Sequence, residues 1–381
     1  MSELNFDKLT ERRSTNSYKW DEYPDVLPMW VADMDFETAP CIVDALRRRV
    51  DHGIFGYTFV PDSYYESVIR WYRYRHHWAV EREWIQYTTG VIPALSCVIK
   101  ALTMPGEKVI VGTPVFNCFF SSIRNNGCEV LESPLQRVGA TYETDYEDFE
   151  RCCADEKATL FILCNPHNPG GHVWRREELQ RMSDICRRHH VRIVSDEIHG
   201  EIVMPGYEYV PFGTIDPTAI VLCSPSKSFN TAGLQIANII CRDSETRRRI
   251  DRAININEIC DVNPFGVIAL EAAYNEGEPW LQALNEYIWE NFVALRQFFA
   301  DELSGLTVFD LEGSYLAWVD ITATGLGSDE LTGRLEQQGR LLVSSGTLFH
   351  GEGFVRINLA CPRSRLYDGL SRFCRVVKPL L

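Results

Sequence analysis

No apolar run in this chain approaches the length of a membrane span, so a protein built on spanning helices is excluded. Positive charge is scarce. Lys and Arg number 38 against 53 Asp and Glu, a formal net charge of -15, which is the wrong sign for a nucleic-acid partner. There is no Cys-x-x-Cys pair and no His-Glu-x-x-His spacing, so neither the thirteen cysteines nor the nine histidines form a zinc pattern. Internal repeats, low-complexity tracts and long linkers are also missing. The opening MSELNFDKLTERRS is polar and lacks the apolar centre of a secretion signal. The odd cysteine number, with Cys164 and Cys223 inside apolar runs, reads as buried free thiols in a reducing compartment. These absences predict a cytoplasmic protein without a structural metal, acting on neither membrane nor nucleic acid.

What is present is an ordinary globular balance, 45% hydrophobic and 24% charged over 381 residues, enough for two domains or three. Between about residues 85 and 245, short β-rich runs alternate with helical stretches. Strands are predicted at 108–111, 159–164, 192–195, 219–223 and 236–241, and helices at 93–102 and 177–189. The strands are apolar nearly throughout, as in a sheet covered on both faces. An α/β sheet of that kind gathers ligands at the carboxyl ends of its strands. After about residue 280 the pattern becomes a long helix, a few strands and a terminal helix. The expected organisation is an N-terminal segment 1–45 packing with the small domain, a large ligand-binding domain 46–280 and a smaller α+β domain 281–381.

Three clusters follow predicted strands. In CNPHNPGGHVW (164–174), two Asn-Pro pairs and two glycines make a rigid turn that carries Asn168. In VRIVSDEIHGE, Asp196 ends an apolar strand, where a carboxylate is costly unless a cation answers it. In LCSPSKSFN, Lys227 stands between serines after another apolar strand. Each alone is a turn residue or a solvated charge. Together they are the amine, carboxylate and amide that an aldehyde-bearing pyridine cofactor needs: the lysine takes the aldehyde, the carboxylate holds the ring nitrogen protonated and the amide bonds the ring hydroxyl. The helix start at TTGVIPAL offers backbone amides near Gly90, Val91 and Ile92 to a phosphate. Phe116 of PVFNCF offers a ring for stacking, with core packing as its plain alternative.

The ordered set TTGVIPAL, PVFNCF, NPHNPGG, SDEIHGE, SPSKSFNTAGL and FVRINLA resembles the fold-type-I pyridoxal-phosphate enzymes, the aspartate-aminotransferase superfamily. KWDEYPDVLPMWVADMDFETAP and HGIFGYTFVPDSYYESVIRWY are similar to its MalY/PatB branch of cystathionine β-lyase-like C–S lyases. The resemblance runs from Lys19 to the terminal helix. It implies a mostly parallel seven-stranded sheet flanked by helices, bound pyridoxal 5'-phosphate, and a homodimer that shares its active sites. Residue by residue, it makes Lys227 the catalytic lysine, Asp196 the ring-nitrogen partner and Asn168 a ligand of the ring hydroxyl. His199 stands where many aminotransferases place a tyrosine on that oxygen. Ser224, Ser226 and the backbone near Val91 and Ile92 match phosphate ligands, and Tyr57 matches a tyrosine reaching the phosphate from the neighbouring subunit. Arg356 matches the arginine gripping the substrate α-carboxylate, with Ala32 beside it. Eight residues after Lys227, where many aminotransferases carry a phosphate-binding arginine, this chain has Gln235. That departure favours a C–S β-lyase cleaving L-cystathionine or related cysteine S-conjugates. An aminotransferase is the alternative, and an amino-acid sensor without catalysis is a third reading.

The remaining polar residues read more plainly. Asp33 and Asp35 are expected in a turn, and Arg12 and Arg13 as solvated surface charge. His76 and His77 read as surface or satisfied histidines. His350 and Tyr315 are candidates for the cleft lining.

Overall fold

The computed structural model describes residues 4–256 and 261–381. The predicted apolar runs form the interior of a seven-stranded sheet. Its order is Ile85–Thr88, Ala237–Cys241, Ile220–Cys223, Arg192–Asp196, Ala158–Cys164, Lys108–Val111 and Glu129–Glu132. Ala237–Cys241 runs antiparallel to both its neighbours, and the other pairings are parallel. The inner strands are mostly apolar because they face two cores. Leu160, Ile162 and Cys164 pack with Val98, Ile99 and Ile123 on one side. The intervening Phe161 and Leu163 pack with Met182 and Ile185 of the helix Arg176–Arg188 on the other. Full burial of each such side chain contributes about 1.5–3 kcal/mol.

The outer strands Ile85–Thr88 and Glu129–Glu132 escape the sequence pattern. They are short, partly exposed and lack a continuous apolar run. The first site helix spans Val91–Leu102, two residues earlier than its proline suggests, because proline fits anywhere in a first turn, where its missing N–H has no carbonyl to meet.

A second, four-stranded antiparallel sheet has the order Thr307–Val308, Leu316–Asp320, Phe354–Asn358 and Ser344–Ser345. The helices Glu278–Glu302 and Arg363–Val377 pack together beside it. The N-terminal segment joins this part of the molecule, with Leu27 and Pro28 pairing in parallel with Leu341 and Leu342. The cysteines among the described residues are free. Among the described residues no helix is long and apolar enough to cross a membrane, and no cluster of His, Cys, Asp and Glu has a metal-binding arrangement.

Candidate active site

The register of the large sheet brings the separate motifs together. Cys164 pairs with Asp196, and Asp196 with Leu222, so the turns carrying Asn168, Asp196 and Lys227 leave three adjacent strands at one edge. Between them lies a cavity of about 230 Å³. Ala32, Gly90, Val91, Ile92, Phe116, Asn168, Asp196, His199, Ser226, Lys227 and Gln235 all line it.

Burial tunes the groups inside. Asp196 accepts a hydrogen bond from Ile198 N at 3.1 Å, and desolvation pushes its pKa up to about 7. A buried carboxylate in that condition calls for a cation. Desolvation pulls Lys227 down to about 8, with Arg356 adding to the effect and Asp33 and Asp196 opposing it. Its amine donates to Ala32 O. His199 is pulled to about 3 by burial and by the charges of Lys227 and Arg356, so its ring is neutral, and its Nδ1 has no hydrogen-bond partner among the described residues.

Arg356, on the inner strand Phe354–Asn358, enters from the second sheet. It donates to Asn168 Oδ1 (3.0 Å), Trp30 O (3.0 Å) and Ser344 Oγ (3.4 Å), and its guanidinium lies 4.4 Å from the Phe349 ring centroid. Its Nε has no hydrogen-bond partner among the described residues. Burial lowers its pKa to about 10, which leaves it charged at neutral pH. Tyr315 is fully enclosed and donates to Ala32 O at 2.9 Å, so it supports the cleft from behind.

These features fit a flat pyridine bearing a phosphate. The helix Val91–Leu102 starts at Gly90 with no side-chain cap, so its first N–H groups point free at one end of the cavity, as an anion site requires. Asp196 lines the same cavity with its pKa raised by burial, Phe116 contributes a ring, and Lys227 is an amine whose pKa burial lowers to about 8. Gln235 lines the same cavity in a left-handed conformation (φ 54°).

Two expected residues lie elsewhere in this chain. Ser224 donates to Ile236 O (2.7 Å) and accepts from Ser226 N (3.0 Å), so its hydroxyl shapes the lysine turn. Tyr57 is 98% exposed. The arginines expected at the surface are instead engaged. Arg12 binds Asp33 and Asp35 (2.7 and 2.8 Å), and Arg13 donates to Trp20 O and Val26 O. His76 pairs with buried Glu201, while His350 stacks on Phe120 and pairs with Glu132. Trp30 O and Lys19 were not foreseen. Lys19 had a signal: two acids in WVADMDF require cations nearby, and the segment just upstream supplies them.

A parallel-sheet fold with this site defines a pyridoxal-phosphate enzyme of the type whose lysine, aspartate and asparagine end neighbouring strands. The chain belongs to the aminotransferase class I and II family, whose pattern it matches over residues 24–373. It is 40% identical to the cystathionine β-lyase PatB of Bacillus subtilis (strain 168), over 97% of this chain and 98% of that one. Two solved structures superpose closely. Cystalysin from Treponema denticola, which contains a pyridoxal 5'-phosphate cofactor, gives a TM-score of 0.96 at 31% identity, covering 99% of both chains. The pyridoxal-phosphate-bound C–S lyase from Staphylococcus hominis gives 0.93 at 31%, covering 98% of both.

Proposed function

We propose that this protein is a C–S β-lyase that cleaves L-cystathionine or related cysteine S-conjugates to pyruvate, ammonia and a thiol. The observation that carries the reading is that buried Lys227, its pKa lowered to about 8, lines one small cavity with Asn168, to which the carboxylate clamp Arg356 donates at 3.0 Å. The similarity to the cystathionine β-lyase PatB and to the C–S lyase of Staphylococcus hominis over nearly the full chain supports elimination over amino transfer.

When bound, pyridoxal phosphate supplies an electron sink for the pair of electrons left at the substrate Cα. The protein's residues do the rest. Arg356 grips the α-carboxylate by a planar two-point contact and so orients the Cα–H bond. Lys227, poised near pH 8, removes that proton as general base. Asp196 answers the ring nitrogen with its negative charge, which in turn meets the demand that burial places on it. Asn168 holds the ring hydroxyl and Arg356 together. Gly90, Val91, Ile92 and Ser226 would hold the phosphate, Phe116 would offer its ring to the pyridine, and neutral His199 would serve the ring oxygen. Ala32 lies beside the substrate carboxylate. A homodimer completes the site: Tyr57, with the exposed Ile54, Phe55 and Phe59, forms an apolar strip that a second copy covers, bringing Tyr57 to the neighbouring phosphate.

The test is turnover of cofactor-loaded protein on L-cystathionine without added keto acid. Pyruvate and free thiol appearing together support the lyase. Amino transfer that requires a keto acid, with no pyruvate from cystathionine, sinks it in favour of an aminotransferase, the reaction its family is named for.

A further inference from the structure

The turn at residues 30–34 lends backbone oxygens to the site. Trp30 O accepts from Arg356 and from Ser344 Oγ (3.0 and 3.1 Å). Ala32 O accepts from Lys227 and from Tyr315. Asn358 Nδ2 donates to both Val31 O and Asp33 O. A carbonyl can orient a guanidinium only as well as its own turn is held.

Behind the turn lies a buried cluster of charge. Lys19 Nζ is 3.3 Å from Asp33 O, 3.5 Å from the Asp33 carboxylate and 3.3 Å from that of Asp35. Lys19 and Asp35 are each 1% exposed. Asp35 also meets Arg12 (2.8 Å), Arg365 on the C-terminal helix (3.1 Å) and the Trp20 indole N–H (2.9 Å). Arg12 spans to Asp33 and to Met34 O (2.7 and 2.9 Å). Three cations thus face two carboxylates. Desolvation makes such a cluster a poor source of stability, and apolar side chains of similar size serve that end at least as well. Its ion pairs and hydrogen bonds do impose one geometry on the turn. Lys19 alone among the three cations touches Asp33 O, Asp33 and Asp35 at once.

We propose that Lys19 is a positioning residue for amino-acid binding. It fixes the 30–34 turn so that Trp30 O aligns Arg356, and Ala32 O aligns Tyr315, around the substrate carboxylate. The inference rests on the reading of Arg356 as the carboxylate clamp. It does not depend on whether the bound amino acid is then cleaved.

Lys19→Met is the informative variant, because it leaves two cations against two carboxylates and keeps Asp35 paired with Arg12 and Arg365. The cofactor-loaded full chain is titrated with L-alanine, which has no β leaving group, and binding is read from the absorbance of the bound cofactor. The dissociation constant is expected to rise about tenfold, with KM for L-cystathionine rising alongside and kcat within about twofold of wild type. The affinity of the apoprotein for pyridoxal phosphate should stay the same. Unchanged L-alanine affinity overturns the proposal. So does an equal loss of cofactor affinity, which marks general damage. If Lys19→Met does not fold, Lys19→Gln is read in the same way, and failure of both to fold overturns it too, since Lys19 is then a stability element. A wild type that does not bind L-alanine overturns it as well, whereas absence of pyruvate from cystathionine sinks only the lyase reading.

Discussion

Arg356 Nη1 donates to Asn168 Oδ1 at 3.0 Å, so an inner strand of the small sheet is tied to the turn that ends an inner strand of the large one. The proposed carboxylate clamp and the proposed ring-hydroxyl ligand are therefore one unit. Tilting either side chain moves the other.

That coupling sets the first expectation. Arg356→Lys loses the planar fork and should lower kcat/KM by about a hundredfold or more, chiefly through KM. Asn168→Ala added to it should cost less than Asn168→Ala alone, with a coupling of about 1 kcal/mol. Additive effects in a double-mutant cycle would show that the 3.0 Å bond does not matter to binding.

Lys227 gives a pH signature in the apoprotein. With its pKa pulled to about 8 by burial, about a quarter of the amine is free at pH 7.5, against about a thousandth for a lysine at its ordinary value. The rate of pyridoxal-phosphate uptake by apoprotein should climb to half its maximum near pH 8 and flatten above pH 9. A rate still rising steeply at pH 10 would contradict a desolvated Lys227. Lys227→Ala should abolish turnover.

Gln235 tests where the phosphate lies. It lines the cavity beside Gly90 and Ser226, and no arginine shares that lining. Gln235→Arg should tighten cofactor binding about tenfold, the value of one added charge-assisted contact of about 1.4 kcal/mol. Equilibrium titration of the apoprotein measures it. An unchanged or weaker affinity would move the phosphate away from this end.

The sequence showed the site's chemistry better than its support. That Asn168, Asp196 and Lys227 meet at one cavity was legible because Asp196 ends an apolar strand and the other two sit in the turns just after apolar strands, where a buried polar group is expensive without a purpose. The five inner strands were legible for the same reason, since both their faces are covered. The edge strands were not, because half-exposed tetrapeptides carry no period. Arg12 looked solvated and Lys19 drew no reading, because local sequence does not say which cations fold back over Asp33 and Asp35. Nor does local sequence show that the Ser224 hydroxyl, two residues from Ser226, bonds within its own turn and to Ile236 O.

Beyond the cavity, His172 ties the Asn-Pro turn to the loop before the strand Leu316–Asp320. It lies 3.1 Å from Glu178 and 3.3 Å from Glu312, and Arg175 joins Glu312 at 2.8 Å. Burial alone would lower its pKa, but the hydrogen bonds and charges of the two carboxylates win and raise it to about 9. A histidine raised on folding stabilises fully below its unfolded value of about 6.5, and that contribution fades as pH rises toward 9. The shift corresponds to about 3 kcal/mol at most. His172→Asn should therefore lower stability most at pH 6, and the gap from wild type should shrink steadily toward pH 9.5. Urea unfolding across that range measures it. A gap independent of pH would mean that His172 contributes by shape and neutral hydrogen bonding, without its charge.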